Sequence, residues 1–169
     1  LLSKNCAHWI MADLAIMAAG CISVPIYPTL AGESIHDILV HSESKAVIIG
    51  KLDDYSAQQS GIPDIIKIGV DLYDIQEDHS WEKLVAEHPP MAEFPEQKPE
   101  DLLTIMYTSG TTGDPKGVMH LVGSFGQLIN TAIDQIKLPE RPQYFSYLPM
   151  THIAERAGIE MSVIFRGAT

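Results

Sequence analysis

The sequence predicts an α/β fold in which βαβ units build a mainly parallel sheet flanked by helices, and in which one hairpin encloses a glycine-rich loop. Short apolar runs alternate along the chain with segments whose apolar residues recur at helical spacing. The runs are rich in β-branched residues, which is typical of buried parallel strands. A loop of glycines, hydroxyl side chains and one lysine directly follows one run, and this order indicates a ligand site beside the sheet.

The composition is that of one globular domain. With 169 residues and 46% hydrophobic content, the chain can bury a sizeable core. The net charge of −11 excludes nucleic acid as a partner, since phosphate backbones need basic surfaces, and it fits anionic lipid poorly. No apolar run reaches the length of a transmembrane segment. Cys6 and Cys21 have apolar neighbours and no metal-ligand spacing, which predicts reduced cysteines in the core.

Residues 1–88 are predicted to form a first α/β part. Helices are predicted at 5–20, 32–41, 53–60 and 81–87, and strands at 21–27, 45–50 and 65–70. Gly20 ends the first helix, because glycine readily leaves the helical conformation, and Pro28 ends the strand that follows. The strands at 45–50 and 65–70 are apolar and β-branched, as buried parallel strands are.

Residues 89–100 are a connector that is rich in proline and glutamate and shows no periodicity. The last part, residues 101–169, begins with two strands joined by the glycine-rich loop. Strands are predicted at 102–107, 117–121 and 144–148, and helices at 124–137 and 151–165. Gly167 follows the last helix, where the alternation would place another strand, so we expect a partial domain of a larger protein.

The glycine-rich loop lies within residues 107–118, which read YTSGTTGDPKGV. Its glycines let backbone N–H groups converge on one anion, its hydroxyls add donors, and Lys116 adds a mobile positive charge. This composition predicts a phosphate-loop hairpin. A Walker loop is excluded, because Pro115 precedes the lysine and Gly117 follows it. The alternative is a polar turn between two strands that binds no ligand.

A second group of candidate residues lies within 147–156, which read YLPMTHIAER. His152 comes just after a predicted strand and at a helix start, and ligands of open α/β sheets bind at such carboxyl ends of strands. The alternative is a histidine that caps the helix, with Glu155 and Arg156 as solvated surface charges.

The loop sequence resembles, almost residue for residue, the signature phosphate loop of the adenylate-forming superfamily. This superfamily includes acyl-CoA synthetases, aryl-CoA ligases, luciferases and peptide-synthetase adenylation domains. Residues 17–29 and 41–47 are similar to further segments of the family, and the resemblance is weakest at 52–99. Residues 147–156 look most like the medium-to-very-long-chain fatty acyl-CoA synthetases, in which a Glu-Arg pair follows the histidine.

The resemblance implies that the parent enzyme activates a carboxylic acid, with a long-chain fatty acid favoured, through an acyl-adenylate to a coenzyme A thioester. It assigns ATP binding to Thr108, Ser109, Gly110, Thr111, Thr112, Gly113 and Lys116. Thr108 would also contact Mg²⁺, and Lys116 and His152 would be catalytic residues. His152 and Glu155 would border the acid, whereas no role is assigned to His120.

The family's adenine, ribose, hinge and catalytic-lysine motifs lie outside this sequence, so residues 1–169 alone are expected to be inactive. Two alternatives stay open: an inactive scaffold or weak nucleotide-binding piece, and a parent that is an aryl-CoA ligase or a peptide-synthetase domain. The expected partners are ATP, the fatty acid and coenzyme A, and the truncated chain is expected to self-associate. The parent is expected to be cytoplasmic or peripheral to a membrane.

Overall fold

Helices and strands alternate along the chain, which confirms the predicted α/β class. The structure, a computed structural model, describes residues 1–108, 115–135 and 143–167. The helices are α1 (Ala7–Ala18), α2 (Gly32–His41), α3 (Ser56–Gln59), α4 (Trp81–Glu87), α5 (Val122–Gln135), α6 (Ile153–Glu155) and α7 (Ser162–Arg166). The strands are β1 (Ala46–Ile49), β2 (Ile66–Gly69), β3 (His79–Ser80), β4 (Leu102–Thr108) and β5 (Lys116–Leu121).

Two helices have the predicted bounds because several sequence signals agree there. α2 places Ile35 and Leu39 on one buried face, and polar residues occupy the opposite face. α4 begins at Trp81 because the hydroxyl of Ser80 accepts the backbone N–H of Lys83 and so caps the first turn. The amphipathic stripe and the cap are both readable from the sequence alone.

The strands form two hydrogen-bonded groups. β1, β2 and β3 make a parallel sheet in that order, with Ile48 of β1 opposite Ile68 of β2. β4 and β5 make an antiparallel hairpin, which closes with Thr108 opposite Lys116. The strands β1 and β2 and both strands of the hairpin therefore occur where they were predicted, whereas the short strand β3 was not predicted.

Single parallel bridges connect these two groups. Ser23 pairs with Thr104 of β4, and Leu2 pairs both with Ile26 and with Ile49 of β1. Since each of these contacts is parallel, β4 points in the same direction as β1, β2 and β3. The carboxyl ends of all four strands therefore lie along the same edge of the sheet, which is the edge where ligands bind in such folds.

An apolar core lies between the parallel sheet and α2, and three of its residues, Ile35, Val47 and Ile49, are at most 1% exposed. The apolar core consists of Leu2, Val24, Ile26, Ile35, Ile38, Leu39, Val47, Ile49, Ile62, Ile75 and Tyr107. A smaller cluster packs Trp9 and Ala12 of α1 against Met150. Burial of this apolar area is the main term that holds the sheet and its helices together.

Residues 21–27, predicted to be a strand, form no regular strand. They make single bridges at Ser23 and Ile26. Pro25 lies between these two residues and lacks the N–H group that a continuous ladder needs. Cys21 is also exposed rather than in the core, whereas Cys6 is half-buried, and neither cysteine forms a disulfide.

The strand predicted at residues 144–148 is wrong. The backbone groups of a strand need a paired neighbouring strand, and no strand among the described residues pairs with this segment. Phe145 and Tyr147 stack on each other and are 80% and 72% exposed. The aromatic and apolar composition of the segment predicted a strand, but strand formation depends on other parts of a chain.

The helix predicted at residues 151–165 is present but is not regular. It begins as α6, continues as a π-helical segment, Arg156–Met161, and ends as α7. The π segment buries Arg156, Ala157 and Glu160, so two ionisable side chains point into the interior. Such wide turns are uncommon and often occur at functional sites.

Candidate functional site

The two ends of the predicted phosphate loop lie opposite each other. Thr108 is the last residue of β4, Lys116 is the first residue of β5, and both side chains are exposed. They form the terminal pair of the hairpin, at the edge where the parallel strands end. The remaining predicted ATP-binding residues, Ser109, Gly110, Thr111, Thr112 and Gly113, lie outside the described residues.

Tyr107 lies next to the last residue pair of the hairpin and packs against both strands. A Cβ atom on Gly117, which faces Tyr107 across the hairpin, would lie 2.6 Å from Cγ2 of Ile105 and 3.2 Å from Cζ of the tyrosine. The ring can therefore occupy this place because residue 117 has no side chain. The hydroxyl of Tyr107 lies 2.7 Å from Nδ1 of His41 at the end of α2. The last turn of α2 thus anchors the strand that leads into the loop.

His152 lies at the start of α6, is exposed, and caps that helix. Its Nδ1 accepts the backbone N–H of Ala154 at 3.2 Å. The capping alternative for this histidine is therefore correct, although capping does not exclude a second contact. Since Nδ1 accepts, the neutral ring carries its proton on Nε2, which can donate to an acceptor such as a carboxylate.

The two residues predicted to be solvated charges in that alternative are buried. Glu155 is 2% exposed and Arg156 is 0% exposed. Among the described residues, Oε1 of Glu155 has no hydrogen-bond partner. The prediction that Glu155 borders the acid stays a prediction. Because Glu155 is buried, a ligand group could contact its carboxyl group only within the interior of the protein.

Arg156 is the centre of a buried polar cluster, defined here as Asp13, Ser23, Thr104 and Arg156. Its Nε and Nη2 donate to the two carboxylate oxygens of Asp13, each at 2.8 Å, and its Nη1 donates to Oγ1 of Thr104 at 2.7 Å. The pair with Asp13 is bidentate, the geometry in which guanidinium and carboxylate bind most strongly. The guanidinium carbon also lies 5.4 Å from the ring centre of Phe125.

Ser23 completes the buried polar cluster. Its hydroxyl donates to Oδ1 of Asp13 at 2.5 Å, and its backbone oxygen accepts the hydroxyl of Thr104 at 2.7 Å. All four residues are at most 2% exposed, so the hydrogen bonds replace water for every charge in the cluster. The cluster joins α1, the segment at Ser23, β4 and the helix that follows His152.

Sequence reasoning missed this cluster, although one signal was present. Asp13 lies four residues after Trp9 and four before Met17, so it occupies the buried stripe of α1. A charged residue on such a stripe needs a buried partner of opposite charge. The sequence does not identify that partner, because Arg156 is 143 residues away.

Two further ionisable groups near the cluster have shifted pKa values. Burial, and to a lesser extent the charge of Asp13, raises the pKa of Glu160 to about 8. Neither carboxyl oxygen of Glu160 has a hydrogen-bond partner among the described residues. Burial and the nearby charge of Arg156 lower the pKa of His120. Glu160 is therefore mostly protonated at neutral pH, and His120 is mostly neutral.

The exposed pair at the end of the hairpin fits a phosphate group better than a metal ion alone. Lys116 supplies an ammonium charge and Thr108 a hydroxyl oxygen, which is an atom type that Mg²⁺ accepts. In the part of the chain that the structure describes, no group of three or more His, Cys, Asp or Glu residues is arranged to hold a metal. The prediction that Thr108 contacts Mg²⁺ stays a prediction. None of the described helices is long and apolar enough to cross a membrane.

Comparison with known proteins gives one family and many relatives. A family described as AMP-binding enzyme matches residues 1–169. Long chain acyl-CoA synthetase 5 of Arabidopsis thaliana is 32% identical over an alignment of 193 positions, gaps included, that covers 98% of this chain and 28% of that protein. The chain thus spans little more than a quarter of the length of this relative.

Solved structures agree with this match. The N-terminal domain of FACL13 from Mycobacterium tuberculosis, solved with an inhibitor, superposes with a TM-score of 0.76 at 28% identity, covering 99% of this chain and 42% of that one. The o-succinylbenzoate CoA synthetase of Bacillus subtilis, solved with ATP and magnesium ion, gives a TM-score of 0.76 at 20% identity, with coverages of 99% and 41%. At this lower identity the likeness is one of fold.

Proposed function

The chain belongs to the AMP-binding enzyme family, and from that premise we propose that it forms part of the ATP site of an acyl-CoA ligase. The observation that carries the proposal is the pair of Thr108 and Lys116, exposed and opposite each other at the carboxyl-end edge of the sheet. The reaction would join a carboxylic acid to the α-phosphate of ATP, which releases pyrophosphate, and would then transfer the acyl group to the thiol of coenzyme A, which releases AMP. A long-chain fatty acid is the favoured substrate.

The chemical difficulty is that a carboxylate must attack a negatively charged phosphate. Catalysis then depends on neutralising charge and on holding the reacting groups in line. Lys116 would neutralise phosphate oxygens, and Thr108 together with residues 109–113 would supply hydroxyl and backbone donors. Mg²⁺ would add positive charge when bound with the nucleotide. Nε2 of His152, which the cap leaves protonated in the neutral ring, would donate to the acid's carboxylate and orient it.

The choice of a fatty acid rests on the similarity to long-chain acyl-CoA synthetases at 32% identity. An aryl-CoA ligase is the second candidate, because the o-succinylbenzoate enzyme shares the fold. Acid-dependent release of pyrophosphate from ATP, measured with palmitate and with benzoate-type acids on the full-length protein, separates the two. A preference for the aromatic acid would contradict the fatty-acid proposal.

Lys116→Ala tests the phosphate site directly. Losing one charge-assisted hydrogen bond costs roughly 1.5–3 kcal/mol, so adenylate formation at subsaturating ATP should fall about tenfold to a hundredfold. Lys83→Ala is the matched control, since Lys83 is exposed on α4, away from the hairpin. Equal rates for the two variants would remove Lys116 from the site.

Residues 1–169 alone are proposed to lack this activity and to bind ATP weakly, with a dissociation constant no tighter than about 1 mM. The acidic chain, with a net charge of −11, repels part of the ligand's charge. Titration of ATP into the isolated chain should shift NMR signals of residues 108–117 first. Micromolar binding, or pyrophosphate release by the pure chain, would contradict this proposal.

A further inference from the structure

The buried polar cluster connects the two halves of the proposed site. Thr104 precedes Thr108 by four residues on β4, a distance of about 13 Å along a strand. Arg156 follows His152 by four residues, about 6 Å along a helix. The 2.7 Å hydrogen bond from Nη1 of Arg156 to the hydroxyl of Thr104 therefore joins the strand that enters the phosphate loop to the helix that begins at His152.

The buried polar cluster is expected to add little net stability to the fold. Removing a guanidinium and a carboxylate from water is costly, and apolar side chains of similar volume often stabilise a fold as well or better. The cluster instead fixes the orientation of the Arg156 side chain. The bidentate contact with Asp13 fixes the plane of the guanidinium, and that plane aims Nη1 at Thr104, whose hydroxyl is itself held by the backbone oxygen of Ser23.

The backbone at Arg156 supports the same interpretation. Arg156 begins the π-helical segment, where the wider turn places both Arg156 and Glu160 in the interior. Such segments are energetically less favourable than regular helix and often occur at functional sites. Here the segment begins at the residue whose charged side chain reaches Thr104 on β4.

We propose that Thr104 and Arg156 are positioning residues for adenylate formation, which hold the helix start bearing His152 at a fixed place relative to the end of β4. This inference rests on the proposed function. Both side chains are fully buried, so neither would touch a substrate. They act through β4 and α6, and a displacement of about 1 Å between reacting groups can lower a rate about a hundredfold.

Thr104→Val in the full-length protein is the decisive variant, and Thr104→Ser is its matched partner. Valine has nearly the shape of threonine but lacks the hydroxyl that links Arg156 to Ser23, whereas serine retains that hydroxyl. For pyrophosphate release with palmitate, Thr104→Val should lower kcat about tenfold, with KM for ATP and for the acid within about twofold of wild type. Thr104→Ser should stay within about twofold in kcat.

A control separates positioning from lost stability. Ile49→Val removes one methylene from the apolar core, away from the cluster, and should leave kcat within about twofold of wild type. A kcat for Thr104→Val within twofold of wild type, or an equal fall for Ile49→Val, would overturn the inference. If Thr104→Val does not fold, Arg156→Lys replaces it, since lysine keeps the charge but loses the fork. An unchanged kcat for Arg156→Lys would overturn the inference as well.

The same assay distinguishes this inference from the proposed function. A wild-type protein that releases no acid-dependent pyrophosphate would contradict the proposed function, and the positioning role would fall with it. An active wild type with an unaffected Thr104→Val would contradict the positioning role alone.

Discussion

The apolar core around β1 and the buried polar cluster around Arg156 are both shielded from solvent, but different interactions stabilise them. Ile35, Val47 and Ile49 are at most 1% exposed and contact one another without preferred directions. Arg156 and Asp13 are 0% exposed and are joined by hydrogen bonds of 2.8 Å. The first region contributes stability in proportion to buried area, whereas the second contributes little net stability but fixes angles and distances.

This difference predicts how each region responds to substitution. When a side chain in an apolar core is truncated, the free energy of unfolding falls in proportion to the volume removed, and neighbouring side chains partly fill the cavity. Replacing one partner of a buried ion pair leaves the other as an uncompensated buried charge and strongly lowers the free energy of unfolding. Replacing both partners by apolar residues is often tolerated. The same degree of burial therefore corresponds to two different kinds of sensitivity.

The largest effect is expected from removing one partner of the ion pair. Asp13→Leu leaves Arg156 buried without its carboxylate and should lower the free energy of unfolding by about 3–5 kcal/mol in urea denaturation. The double variant Asp13→Leu, Arg156→Met should regain most of that loss. A single variant that costs under about 1 kcal/mol would show that the cluster is no more sensitive than the apolar core.

The next effect depends on pH and belongs to the polar region alone. The pKa of Glu160 is raised by burial from 4.5 to about 8, so the folded state holds a proton that the unfolded state releases. Its contribution is complete below about pH 4.5 and is lost as the pH rises through 8, with a slope of up to about 1.4 kcal/mol per pH unit. Glu160→Gln should remove this slope.

Glu87→Gln is the matched control for that titration, because Glu87 lies exposed at the end of α4. Chemical denaturation between pH 5 and pH 8.5 should give parallel profiles for this control and the wild type. A wild-type profile already parallel to that of Glu160→Gln would refute the assignment.

A smaller effect tests shape within the apolar region. In Gly117→Ala the new Cβ would lie 2.6 Å from Cγ2 of Ile105 and press on the ring of Tyr107. Overpacking of this kind costs about 1–3 kcal/mol, measurable as a lower midpoint in thermal unfolding. Gly126→Ala in α5 is the control, since, apart from its chain neighbours and the helix's own backbone, no atom of the described residues lies within 4 Å of the added Cβ. Equal midpoints for the two variants would contradict the packing described.

The smallest effect is expected from trimming the apolar core. Ile49→Val should lower the free energy of unfolding by about 0.5–1.5 kcal/mol, because one buried methylene is lost and the site can partly collapse. The cost should be the same at pH 5 and pH 8.5, since no ionisable group takes part. A loss that changes with pH would show that this region is coupled to the polar cluster.

The sequence predicts the local elements better than the contacts between them. α2 and α4 have their predicted bounds because an amphipathic stripe or a capping serine lies within the helix itself. The strand predicted at residues 144–148 is absent, because a strand forms only where another part of the chain is placed to pair with it. Residues 109–114 lie outside the described residues, so their phosphate-binding role stays a prediction.

The candidate site divides in the same way. Thr108 and Lys116 were found from the order of a strand, a glycine-rich loop and a lysine, which is local information. The partners of Arg156 could not be found, because hydrogen-bond direction depends on the folded arrangement of α1, β4 and the π segment. Asp13 on a buried stripe indicates that a partner exists but not which residue it is.

The sequence separation of the ion pair has a consequence for protein synthesis. Asp13 and Arg156 are 143 residues apart, and ribosomes add about 5–20 residues per second, so the arginine is made roughly 7–29 seconds after the aspartate. The apolar core lies almost entirely within the first 75 residues and can collapse during this interval. Either α1 docks after Arg156 has been made, or the carboxylate of Asp13 stays in water until then, so this ion pair can form only after the apolar core has had time to collapse.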